Sequence, residues 1–241
     1  MKHCMYQVST LQALAMGYTK KIVTVGQCLE NGDIGLGTFE DVNGEMVVLD
    51  GRCYRADENG NVSEVDRENG VPFCSLAFQE GDWVDSLDAF ASIDDLKRWL
   101  DNRIEEHFGL NAMHVVRIDG TFSLVRARSE APYHSQFLSL KEILQKTQKD
   151  FVFRDIRGTM VCIYYPDYMD GINAPGWHLH FVDEHRKKGG HVFELVMKEG
   201  KSTMDRLDQL HIQFPNDPSF DIYSLKEADQ NEIKEVEQGK E

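Results

Sequence analysis

The chain has 241 residues, 41% of them hydrophobic and 10% aromatic, enough for one large core or two smaller ones in an ordinary globular protein. Its formal charge of −15 argues against nucleic acid and against an anionic membrane surface as partners. Five cysteines, an odd number with no Cys-x-x-Cys, argue against a zinc ribbon or thioredoxin motif and for scattered buried thiols in a reducing compartment.

The N-terminus carries no basic-then-apolar signal stretch, and no apolar run approaches membrane-spanning length, so a cytoplasmic protein is expected. Ser9 is read as the cap of a short helix running to Met16, with Gly17 ending it. The glycines of Asn31 to Phe39 suggest tight backbone. They do not suggest a phosphate cradle, because no Lys-Ser/Thr follows and the next residues pattern as strand. Asn43-Gly44 is a strong hairpin signal and puts Glu45 at the start of the strand Met46 to Leu49. Asp50-Gly51 then turns the chain into Cys53-Tyr54-Arg55. Asp57 to Gly70 reads as a loop or exposed hairpin, and Val71 to Phe78 as strand.

Ser92 to Asp95 resembles a capping box, opening a helix with Ile93, Leu96, Trp99, Leu100 and Ile104 at helical spacing and Gly109 beyond its end. Met113 to Ile118 and Phe122 to Ala127 are read as a hairpin turning at Asp119-Gly120. Ser139 to Glu142 is a full capping box for a helix to about Gln148. Strands are expected at Phe151 to Arg154, at Gly158 to Tyr165 and over Leu207 to Phe214. The tail Asn231 to Glu237 is expected to form a short helix. Gly37-Thr38 and Gly158-Thr159, each after a Ser-capped helix, are a weak echo between the halves, from an old duplication or from chance. Strands outnumber helices without regular alternation, which predicts an α+β fold of two mixed or antiparallel sheet parts with a few short flanking helices. The division is placed between 1–135, carrying Glu45 and Arg128, and 136–241, carrying a histidine hairpin, the two making one functional unit.

That hairpin is Gly176-Trp177-His178-Leu179-His180-Phe181, followed by Gly189-Gly190-His191. Alternate residues of a strand share a face, so His178 and His180 point the same way. The polar stretch from Asp183 to Gly190 reads as the connection that returns His191 beside them. Three imidazoles with an open position are the ligand set of a catalytic zinc. His3, His107, His114, His134 and His185 look structural or exposed, and His211 is a reserve ligand. His178-x-His180-x-x-x-Glu184 also matches the first half of a cupin motif for iron or manganese, although His191 lies close for that pattern. A third reading is a purely structural zinc closed by His211 or Glu184. Glu45 is most simply a solvated edge residue. Arg126 and Arg128, two apart, are expected to share a strand face, and an arginine fork suits an anionic substrate. Glu235 and Glu237 look like exposed helix charges.

Taken together, Gly35-Leu36-Gly37-Thr38-Phe39, Gly44-Glu45-Met46 with Leu49-Asp50-Gly51, Val71-Pro72-Phe73 and Pro175 to Phe181 with Gly189-Gly190-His191 resemble the α-acetolactate decarboxylase family, in order, from about Tyr6 to Glu237. The resemblance implies a zinc (Zn2+) carboxy-lyase converting (S)-2-acetolactate to (R)-acetoin and carbon dioxide in acetoin and butanediol formation. It also implies an α+β fold and a homodimer. It assigns zinc to His178, His180 and His191, and site roles to Glu45, to Arg128 (with Arg126 as the alternative) and to Glu237 (with Glu235 as the alternative). The chain departs from the family pattern at Trp177, where tyrosine is expected, and at Cys74, where alanine is expected. It departs again in the short step from Arg128 to Pro132-Tyr133 and in Thr19-Lys20-Lys21.

Overall fold

In the computed structural model, residues 2–134, 138–223 and 225 are described. The elements of the first part are β1 (Cys4–Val8), α1 (Leu11–Ala15), β2 (Val23–Thr24), α2 (Val25–Leu29), β3 (Ile34–Thr38), β4 (Glu45–Leu49), β5 (Arg52–Ala56), β6 (Val62–Glu64), β7 (Gly70–Val71) and β8 (Phe73–Ala77). There follow β9 (Trp83–Leu87), α3 (Ile93–His107), β10 (Met113–Glu130), α4 (Leu140–Thr147), β11 (Gln148–Tyr165), β12 (Gly176–Asp183), β13 (Gly189–Leu207) and β14 (Gln209–Gln213). The fold is α+β, with the strands in two large sheets and the helices short.

One sheet has seven strands in the order β14-β1-β8-β3-β4-β5-β6. It is antiparallel except for β1 and β14, which run parallel in the register Cys4↔Gln209 to Val8↔Gln213. The other sheet runs β10-β11-β12-β13-β9, and β10 also pairs with β13, so its first four strands close into a ring. The change of sheet falls at residues 78–82 and again at Asp208, while residue 135 lies between β10 and α4.

The hairpin expected at Asp119-Gly120 does not form. Residues 113–130 are one strand, hydrogen-bonded to β11 on one side and β13 on the other. Gly120 faces Gly158 across one ladder and Gly200 across the other. A Cβ on Gly158 would stand 2.4 Å from the Val182 carbonyl, so this row of glycines admits backbone where side chains would collide. With partners on both flanks every backbone group of the strand can be paired, and the dipeptide bends the chain without reversing it. The two strands expected at 151–154 and 158–165 likewise merge into β11. Asp155, at φ 46°, falls where the ladder to β10 lacks a rung.

Local signals explain most helix starts. Ser139 and Glu142 form a reciprocal capping box at α4, and Ser92 accepts from the Asp95 N–H at α3. At α1 the cap is Thr10, not Ser9, whose φ of 61° sets it outside the helix approach. Ile93, Leu96, Leu100 and Ile104 are buried along one face of α3, against the ring interior of Phe122, Phe181 and Leu195. A second core, including Leu36, Val47, Val161 and Val182, glues the two sheets together. That glue brings the start of β4 against the outer face of β12, where the histidines lie. All five cysteines are free and buried. Among the described residues, no helix is long and apolar enough to cross a membrane.

Candidate active site

The histidine hairpin folds as its spacing predicts. His180 is the cross-strand partner of His191, and His178 lies two residues earlier on the same face of β12. The His178 Nε2 lies 3.1 Å from His180 Nε2 and 3.0 Å from His191 Nδ1. His180 and His191 are buried and His178 is half-buried. Burial and the Arg128 cation push the His178 imidazole down to about 3, and burial with the neighbouring His178 drives His180 well below its ordinary value. Both rings are therefore neutral near pH 7. The Met46 carbonyl, 2.7 Å from His180 Nδ1, can only accept, so that nitrogen carries the hydrogen and Nε2 turns its lone pair into the cluster.

Glu45 enters from the other sheet. Its Oε2 stands 3.3 Å from His180 Nε2, so a carboxyl oxygen faces an imidazole lone pair. Two acceptors at that distance are reconciled by a proton or by a cation between them. The donor set fits a divalent metal: three imidazole nitrogens on one hairpin, one anchored by a backbone carbonyl as metal-bound histidines are. The separations of His178 Nε2 from the other two nitrogens, 3.1 and 3.0 Å, are near the roughly 3.3 Å expected of imidazoles that share one tetrahedral metal ion. His211 lies on β14 stacked on Tyr6. Glu184 lies in the turn after β12 beside His185. Neither belongs to the cluster, so the cupin-like set and a protein-closed structural site by these residues are not assembled.

Arg128 stands across from His191 in the β10–β13 ladder. Its Nη2 is 3.5 Å from His191 Nε2, and its Nη1 donates to Gln148 Oε1 at 3.3 Å. Arg126 goes elsewhere. The two share the outer face of β10, since Val125 and Ala127 both face the ring interior, but a register shift between Arg126 and Ala127, where Phe193 of β13 is the extra residue, gives them different surroundings. Arg126 is left exposed, paired with Glu194 and lying over the Phe193 ring. Glu45, Arg128, His178 and His191 line one cleft together with the apolar side chains of Leu14, Phe73, Leu140 and Leu144. Glu130, buried at 2% exposure, lines it too; its place two residues beyond Arg128 is the signal that could have found it. Glu235 and Glu237, with the expected tail helix, lie outside the described residues.

A carboxyl, a guanidinium and an imidazole cluster able to hold a metal, brought together from two sheets beside a partly apolar cleft, suit an enzyme acting on a small molecule. The chain belongs to the alpha-acetolactate decarboxylase family, whose members are carboxy-lyases, and the family model matches residues 5–227. The alpha-acetolactate decarboxylase of Methanosarcina mazei is 34% identical over 233 residues, 97% of this chain and 80% of that one. That of Bacillus subtilis is 32% identical over 224 residues, 93% and 86% of the two chains. The crystal structure of alpha-acetolactate decarboxylase from Bacillus subtilis superposes with a TM-score of 0.92 at 31% identity, covering 98% of this chain and 100% of the other.

Proposed function

We propose that the chain decarboxylates (S)-2-acetolactate to (R)-acetoin and carbon dioxide with zinc bound by His178, His180 and His191. The observation that carries this reading is the convergence of Glu45, Arg128, His178 and His191 on one cleft, with His180 completing the imidazole cluster. The Arg128 fork grips the substrate carboxylate and orients it toward the apolar wall. There the carboxylate loses hydration, which favours its departure as neutral carbon dioxide. The electron pair of the breaking carbon–carbon bond moves onto the ketone oxygen, leaving an enediolate. Zinc, when bound, supplies Lewis-acid stabilisation of that developing negative charge. Glu45 then delivers a proton to one face of the carbon, which fixes the product enantiomer. Glu237, with Glu235 as its alternative, is proposed to relay that proton.

The enzyme is further proposed to act in the cytoplasm as a homodimer, in acetoin and butanediol formation, with 1–135 and 136–241 as its two parts. Dialysis against a chelator should abolish acetoin formation, and stoichiometric zinc should restore it. The His191→Ala variant should neither bind zinc nor turn over. Undiminished turnover by metal-free protein would refute the scheme.

A further inference from the structure

The Gly44–Glu45 peptide unit is gripped at both ends. Its carbonyl accepts from the Thr38 hydroxyl at 3.0 Å. Its N–H donates to the Ser129 hydroxyl at 3.2 Å. Ser129 in turn donates to the Ala56 carbonyl at 2.9 Å. Glu45 and Ala56 are cross-strand partners in the β4–β5 ladder, so the Ser129 oxygen is a one-atom bridge between their backbones. Ser129 has no exposed surface, and it belongs to β10, in the other sheet. Its chain neighbour is Arg128. Gly44, at φ 86°, packs against the same Ala56 carbonyl: a Cβ there would lie 2.3 Å from it, so only glycine fits before Glu45.

We propose that Ser129 is a positioning residue for the decarboxylation, its hydroxyl setting the origin of the Glu45 side chain relative to the Arg128 guanidinium one residue away. The inference rests on the reading of Glu45 as proton donor and Arg128 as carboxylate clamp. It adds that the two are held in gauge, across a sheet boundary, by one buried hydroxyl. A proton donor must meet one face of a flat enediolate, so the angle at which Glu45 leaves its backbone matters as much as its presence. Arg128 keeps its own cross-strand neighbour and Gln148 contact without Ser129. Removing the hydroxyl should therefore spare substrate capture and damage protonation.

The test compares Ser129→Ala, Ser129→Thr and Glu45→Gln as zinc-loaded proteins, reading kcat, KM, the enantiomeric excess of acetoin, zinc per chain and melting temperature. Ser129→Ala should lower kcat by about 10- to 100-fold with KM within about threefold, and should erode the enantiomeric excess, with zinc retained. Ser129→Thr, which keeps the hydroxyl, should recover most of both. If Ser129→Ala melts early or loses zinc, Ser129→Cys takes its place, with intermediate kcat and enantiomeric excess expected. A folded Ala or Cys variant with wild-type kcat and enantiomeric excess overturns the inference. So does a loss of kcat matched by loss of zinc in Ala and Cys alike, since that is a structural role alone. A fully active, stereochemically normal Glu45→Gln enzyme removes the proton-donor reading and this inference with it. An inactive Glu45→Gln beside a normal Ser129→Ala removes this inference only.

Discussion

Arg128→Gln, set against Arg126→Gln, separates the two arginines that the sequence leaves as alternatives. Arg128 is 8% exposed in the cleft wall, with one nitrogen of its fork bonded to Gln148 and the other beside His191. A substrate carboxylate gripped there makes charge-assisted hydrogen bonds worth about 1.5–3 kcal/mol each, so losing a two-pronged grip costs about 3–6 kcal/mol. At about 1.4 kcal/mol per tenfold, kcat/KM should fall roughly a hundred- to ten-thousand-fold. Arg128→Lys keeps the charge and loses the fork, so it should recover only part of that loss. Zinc content should not fall, because the change removes a cation from beside the imidazoles. Arg126 and Glu194 are each about half-exposed at 3.3 Å, a pair of the kind that contributes about 0.2–1 kcal/mol to stability. Its glutamine variant should keep kcat/KM within about twofold. Initial rates of acetoin formation over a range of acetolactate concentrations, with zinc measured on the same samples, decide the matter. Arg128→Gln retaining near-normal kcat/KM, with Arg126→Gln losing it, would refute the assignment.

Two further outcomes follow from groups outside the cleft. His114 is fully buried and pushed down to about 4 by burial, so the native chain accepts a proton there only well below the 6.5 at which an unfolded chain does. Its contribution to stability is intact above about pH 6.5 and is lost as pH falls toward 4, by an amount on the order of 3 kcal/mol. His114→Phe should flatten the pH dependence of the urea midpoint across that window, and an unchanged slope would rule the effect out. Trp177 donates to Asp101 Oδ1 at 2.7 Å, tying α3 to the strand that carries the histidines. Trp177→Phe should cost about 2 kcal/mol and lower the melting temperature by about 4–8 °C. Its side chain lies on the face opposite His178 and His180, so turnover per bound zinc should be unchanged; a large loss of specific activity would contradict that division of faces.

The parts of this protein visible in its sequence are those with local causes. Capping residues at Ser92 and Ser139, the Asn43-Gly44 turn and the alternate histidines each act within a few residues, and each behaves in the fold as its chemistry dictates. The three-histidine cluster was legible because one hairpin supplies all of it. Asp119-Gly120 misled because a glycine pair signals a turn only when the chain has nothing to pair with on both sides. Here β11 and β13 supply those partners, and the glycines serve close approach instead. The different surroundings of Arg126 and Arg128, on one face of β10, come from what stands across from each in β13, which no spacing in β10 reveals. Glu45 looked like a solvated edge residue because its burial comes from the second sheet. The Met46 carbonyl, Gln148 and Ser129 gave no signal at all, since their importance lies in what stands across from them.

The parallel pairing of β1 with β14 has a bearing on synthesis. β1 is buried along its whole length, and its outer edge is covered by a strand that begins only at Gln209. At about 5–20 residues per second, a ribosome needs roughly 10–40 s to make the chain between them. For that interval the nascent protein carries an apolar ribbon with one row of amide and carbonyl groups unmatched, the arrangement most inviting to a strand from another chain. The histidine hairpin emerges before β14 does, so its three imidazoles can come together while the other sheet is still open. A lesion in Gln209–Gln213 should therefore show first as poor soluble yield, with the molecules that escape aggregation still able to load metal.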